Sequence, residues 1–117
     1  MRVTYLGPLM AGMAHPALAG YDLSQFSPSC FLVEVGDEAG VSGPVIEGDL
    51  LVVDEARTPG HADLVVVEQA GEQRLFTTHR IGGQFRLLPV VHQGRSLVAR
   101  QADMRGVVVS QARRYAW

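Results

Sequence analysis

The groups in this 117-residue chain that can do chemistry are four histidines, one cysteine, a scatter of carboxylates and a serine set in a turn. His15, His61, His79 and His92 show neither HExxH spacing nor a pair at i and i+4, so the sequence offers no metal-ligand set. A metal hydrolase would have to draw Glu38, His79 and a second histidine from unrelated places. We therefore expect no metal and no other cofactor. His61 lies in a turn and His15 in a Gly- and Pro-broken stretch, so both are expected to be exposed. Ser42 and His79 could supply a hydroxyl nucleophile and an imidazole base, a pairing that recurs on unrelated folds. Ser42 also sits in Val41-Ser-Gly-Pro44, where those residue types are ordinary turn chemistry.

What is missing is equally informative. All ten basic residues are Arg, and there is no Lys. A guanidinium stays protonated in proteins and cannot act as a neutral amine. Phosphate loops of the Gly-Lys-Ser/Thr type, Schiff-base catalysis and Ser-Lys catalysis are all excluded within this chain. Arginine-favouring codon usage would give the same composition, and the exclusion holds either way.

With a net charge of −2 and no basic stripe, direct nucleic-acid binding is not expected. The single cysteine, Cys30, cannot form an intrachain disulfide, which favours a reducing compartment. No apolar run approaches transmembrane length, and Arg2 alone precedes a stretch broken by Pro and Gly, so neither membrane span nor signal peptide is expected. The expected location is cytoplasmic.

The elements that must position these groups read as strands. Residues 1–29, with breakers at Gly7, Pro8, Gly12, Pro16 and Gly20, are expected to form an extended arm with at most short strands or a turn of helix. The best helix candidate is the short stretch Leu18 to Phe26. Residues 30–117 are expected to form one mainly-β domain. Strands are predicted at Phe31–Val35, Leu50–Val53, Leu64–Val67, Arg74–Ile81, Phe85–Val91 and Gly106–Ala112. Ala70-Gly71-Glu72 and Gly82-Gly83 read as hairpin turns. The unbroken apolar runs Leu50–Val53 and Leu64–Val67 predict strands buried on both faces.

The run Val45-Ile-Glu-Gly-Asp-Leu-Leu-Val-Val-Asp54, followed by His61-Ala-Asp-Leu-Val-Val-Val67, resembles the LexA/UmuD family of self-cleaving Ser-Lys peptidases. Phe85-Arg-Leu-Leu-Pro89 and Gly106-Val-Val-Val109 match later strands of that family. Ala11-Gly12, with Pro16 after it, looks like the family's cleavage segment. The resemblance implies a compact, signal-peptidase-like β fold with an extended N-terminal arm, and pairing of two copies through this domain.

The same resemblance exposes two departures. Counting back from Asp49 puts Ala39 at the position of the family's nucleophilic serine, whereas anchoring on Gly36-Asp37 puts Glu38 there. The family's lysine strand is resembled by Thr78-His79-Arg80-Ile81, with a slightly longer hairpin around Gly71, so His79 takes the lysine position; an ungapped count gives Phe76. A Ser-Lys dyad needs a hydroxyl to attack and a neutral amine to accept its proton. Neither is supplied, so the expectation is a pseudo-peptidase. Glu38 and His79 could pair across the vacated cleft, or Glu38 could be solvated beside Asp37. By resemblance, the expected role is a regulatory or interaction module in the SOS response to DNA damage. Its expected partners are the RecA filament, an error-prone polymerase or another LexA/UmuD-family protein.

Overall fold

The computed structural model describes residues 1–9, 25–36, 45–82, 84–90, 97–98 and 101–113. Among these lie eight strands: β1 (Arg2–Pro8), β2 (Cys30–Val35), β3 (Leu50–Asp54), β4 (Leu64–Gln69), β5 (Glu72–Ile81), β6 (Gln84–Pro89), β7 (Leu97–Val98) and β8 (Met104–Ala112). Their order in the sheet is β1-β2-β3-β8-β4-β5-β6-β7, and β1 also pairs with β5. That last pairing closes β1, β2, β3, β8, β4 and β5 into a ring. β5 is long enough to close the ring with one part of an edge, at Gln73 and Arg74, and to carry β6 along the rest, from Phe76 to Ile81. The mainly-β architecture is therefore a small barrel with a β6–β7 wing.

Side-chain alternation places the core. Val3, Phe31, Val33, Val35, Leu51, Val53, Val66 and Leu75 belong to one buried cluster, which fills the ring. The intervening residues Cys30, Leu32, Leu50 and Val52 form a second buried cluster, and Val65, Val67, Phe76, Leu87 and Val107 a third. Residues 50–53 and 65–67 are buried throughout, as their unbroken apolarity predicts, while Leu64, the first residue of the second run, is half-buried. Strands wetted on one face would alternate instead.

The hairpins follow their turn residues. Gln69 pairs with Glu72, leaving the two-residue turn Ala70-Gly71 with φ of 53° and 81°. Such primed turns match the twist of the flanking strands and need positive φ at both positions. Gly82, at φ 58°, turns β5 into β6.

Residues 2–8 lie in the stretch expected to be an arm, yet they form β1, paired with both β2 and β5. Pro and Gly conceal this strand in the sequence. The register shifts between Tyr5 and Gly7, and Gly7 adopts φ 120°, so this glycine makes a bulge within the strand. Pro8 is the last residue of the strand, where its missing N–H is tolerated. Met1 and Val3 are buried in the barrel core. The helix candidate lies almost wholly outside the described residues.

Gly106 on β8 lies close against β3. A Cβ there would meet Val53 Cγ1 at 2.7 Å and the Asp54 carbonyl oxygen at 2.9 Å. One of those neighbours is backbone, so it cannot swing aside. Gly106→Val is expected to destabilise the fold by about 1–3 kcal/mol, read as a lower midpoint in urea denaturation with an unchanged slope.

Candidate functional site

β5 carries His79, the residue that the sequence resemblance places at the general-base position. The β3–β4 loop reaches back along β5 and brings His61 to it. The two rings meet edge to face, with centroids 5.3 Å apart and planes at 79°. His61 is exposed, as its turn position predicts, while His79 is half-buried. His61 Nδ1 accepts the backbone N–H of Arg80 at 2.9 Å, which fixes the ring.

Thr78 anchors the same loop from inside. It is fully buried. Its hydroxyl donates to the Gly60 carbonyl at 2.6 Å and accepts the Asp63 N–H at 3.0 Å. The backbone adds Thr78 N–H to the Asp63 carbonyl at 2.9 Å and Ala62 N–H to the Thr78 carbonyl at 2.8 Å. Asp63 Oδ2 in turn accepts the Gly60 N–H at 2.5 Å. These bonds hold Ala62 at φ 62°, a left-handed conformation that a residue with a Cβ adopts only when its surroundings compel it.

Nothing in this described arrangement is a nucleophile. The Thr78 hydroxyl is committed to Gly60, and burial, followed by the nearby charge of Asp54, pushes the Cys30 thiol up from its ordinary value, away from the reactive thiolate. Among the described residues no group of three His, Cys, Asp or Glu could hold a metal. The tautomer also opposes metal binding at His61. A histidine bound to metal through one nitrogen donates its other N–H outward, whereas His61 Nδ1 accepts.

Glu38, Ala39, Ser42, Ala11, Gly12, His15 and His92 lie outside the described residues. What is described is how both flanks of the 37–44 segment are pinned. Gly36 N–H donates to the Arg2 carbonyl at 3.0 Å, and Val35 exchanges backbone bonds with Gly48 and Asp49 at 2.9 Å each. Asp49, only 1% exposed, closes the far flank. Its carboxylate accepts Arg113 Nε and a terminal guanidinium nitrogen, each at 2.7 Å, Gln111 Nε2 at 2.7 Å and the Ile46 N–H at 3.0 Å. Burial alone would push this carboxyl up. The hydrogen bonds from Arg113, Ile46 and Gln111, with the charge of Arg113, outweigh burial and hold it below its ordinary value.

Sequence reasoning singled out His79 but not its partner. The signal was present in the hairpin: stepping outward from Ala70-Gly71 equally in both directions puts His61 opposite Arg80, next to His79. The role of Asp49 was likewise missed, since a single acidic residue ahead of a strand reads as a turn residue.

A closed six-strand barrel with an imidazole pair on one wall is what the fold and the site define among the described residues. Sequence comparison narrows it. The chain is 28% identical over 111 residues to the LexA repressor of Geobacter metallireducens, covering 90% of this chain and 55% of that protein. It is 36% identical over 92 residues to Protein ImpA of Salmonella typhimurium and of Escherichia coli, covering 67% of this chain and 61% of each relative. The chain thus spans less than two thirds of the length of these relatives. No family model matches it. The matches support a LexA/UmuD-like family, in keeping with the β fold.

Proposed function

We propose that this chain is a LexA/UmuD-like peptidase framework without its reaction, working as a regulatory or protein-interaction module in the SOS response to DNA damage. The observation that carries the reading is the replacement of the base: the chain contains no lysine, and the strand resembling the family's lysine strand presents His79. Neither residue aligned with the nucleophile, Glu38 or Ala39, bears a hydroxyl or thiol. An imidazole can accept a proton, but without a nucleophile it cannot open an amide by this route.

Such a module acts in the cytoplasm by contact, as a homodimer, with the RecA filament, an error-prone polymerase or a catalytic LexA/UmuD-family protein as its partner. The similarity to a LexA repressor and to ImpA proteins supports this assignment.

Incubation of the purified chain with activated RecA, and separately at alkaline pH, is expected to leave the Ala11–Gly12 bond intact by intact-mass measurement. Fragments ending at Ala11 in the absence of any other peptidase would overturn the reading. A serine-reactive phosphonate separates the competing hydrolase. Labelling at Ser42 that disappears in His79→Ala would establish a Ser42–His79 enzyme instead. Cleavage of the arm only when an active family member is added would identify the chain as a substrate cut in trans.

A further inference from the structure

We propose that the His61–His79 pair is a proton-sensitive latch, in which neutral His61 is held against β5 and acidification releases its ring. The argument rests on which nitrogen is used. His61 Nδ1 is the acceptor for Arg80 N–H at 2.9 Å, so it carries no hydrogen. The neutral ring therefore has its proton on Nε2. The only place for a second proton is Nδ1, and a protonated Nδ1 is a donor facing a donor. Protonation and the Arg80 bond exclude each other.

The surroundings sharpen the response. His79 is in ring contact with His61, so two imidazolium ions would face one another across 5.3 Å. On β5 the adjacent cation is Arg80, whose guanidinium stacks over Phe85 at 4.7 Å from the ring centroid. On β6, Arg86 stands directly opposite His79 in the ladder, and cross-strand neighbours share a face of the sheet. On the loop, the carboxylate of Asp63 accepts the Gly60 N–H. Among the described residues, added charge on His61 thus meets the imidazole of His79 directly, with the Arg80 guanidinium and the Asp63 carboxylate on the flanking positions.

The loop backbone does not depend on the latch. Thr78 and Asp63 hold it through hydrogen bonds that involve no imidazole. Acid accordingly frees the His61 side chain and uncovers the ring of His79, leaving the strand framework in place. This gives the β5 wall of the barrel two states, selected by protonation of His61.

The test is amide hydrogen exchange and imidazole nitrogen shifts of the labelled chain, followed from about pH 8 to about pH 5. The Arg80 amide is expected to lose about tenfold in protection factor, the strength of one ordinary hydrogen bond, in step with the titration of His61. The Thr78 amide, bonded to the Asp63 carbonyl, is expected to keep its protection. In His61→Ala the Arg80 amide should be unprotected at both ends of the range. An Arg80 amide equally protected throughout the wild-type titration would overturn the latch. So would an acid-dependent loss that persists in His61→Ala, because the change would then belong to the loop as a whole.

Discussion

Asp49→Ala is expected to lower the unfolding free energy by about 3–5 kcal/mol, a large share of the roughly 5–15 kcal/mol that holds a small domain together. The carboxylate is 1% exposed, and the Arg113 side chain on it is 24% exposed. Removing the acid leaves a mostly buried guanidinium without its bidentate partner, and takes the acceptor from Ile46 N–H and Gln111 Nε2. Loss of one member of a buried pair costs more than the pair contributes, because the survivor keeps its desolvation penalty. The double variant Asp49→Ala/Arg113→Ala should therefore lose less than the sum of the single variants, as a double-mutant cycle in urea would show. Additivity would mean that the two side chains act independently. The effect is also local, since Asp49 closes the Ile46–Asp49 turn that leads into β3.

The same carboxylate gives the fold an acid limit. Its folded-state value lies below the ordinary 3.8. The stabilisation it contributes is then fully present above the ordinary carboxylate range and is lost as pH falls through the depressed folded-state value. Wild-type stability is expected to decline on acidification below about pH 4, with Asp54 contributing in the same direction. Hydrogen bonds from Ser29 and Ala56 hold that half-buried carboxyl down as well. Asp49→Asn should flatten the decline. Urea midpoints measured from neutral pH to about pH 3 in both proteins check this. An equally steep fall in Asp49→Asn would assign the acid limit elsewhere.

How much of this was legible in the sequence depends on the range of the interaction. Strands whose apolar runs are continuous, such as Leu50–Val53 and Leu64–Val67, declared themselves because burial on both faces leaves a local mark. So did the hairpins at Ala70-Gly71 and Gly82, where positive φ selects the residues. β1 did not, because its bulge at Gly7 and its terminal Pro8 read locally as breaks, and the partners that make it a strand lie far along the chain. The closing β1–β5 contact has no local signature at all. At the site, His79 was found by likeness to a family strand. His61 needed the hairpin register, and Asp49 needed the return of β8, whose end at Gln111 and the following Arg113 reach it.

The other large effect falls on Thr78. Thr78→Val keeps the shape of the side chain and removes only its hydroxyl, so packing changes little and polarity changes completely. The Gly60 carbonyl loses a donor at 2.6 Å and the Asp63 N–H loses an acceptor at 3.0 Å, both given up by a side chain of zero exposure. Each group left buried without its partner costs about 1–3 kcal/mol, and because the exposed Gly60 can turn its carbonyl to water, the combined loss is expected in the lower part of that doubled range, about 2–4 kcal/mol, in urea denaturation. Thr78→Ser, which keeps the hydroxyl, should lose distinctly less. The consequence is local as well as global. Ala62 holds its left-handed backbone at a cost of about 1–2 kcal/mol, and the Thr78 bonds are what compel it. With the hydroxyl bonds gone and only the backbone bonds of residue 78 left to hold it, the loop should loosen and let His61 move away from His79 even at neutral pH. Nitrogen shifts of the two imidazoles in Thr78→Val should therefore match those of separated rings. Rings that stay in contact in that variant would show that the backbone bonds and the imidazole pair, rather than the buried hydroxyl, hold the loop to the barrel.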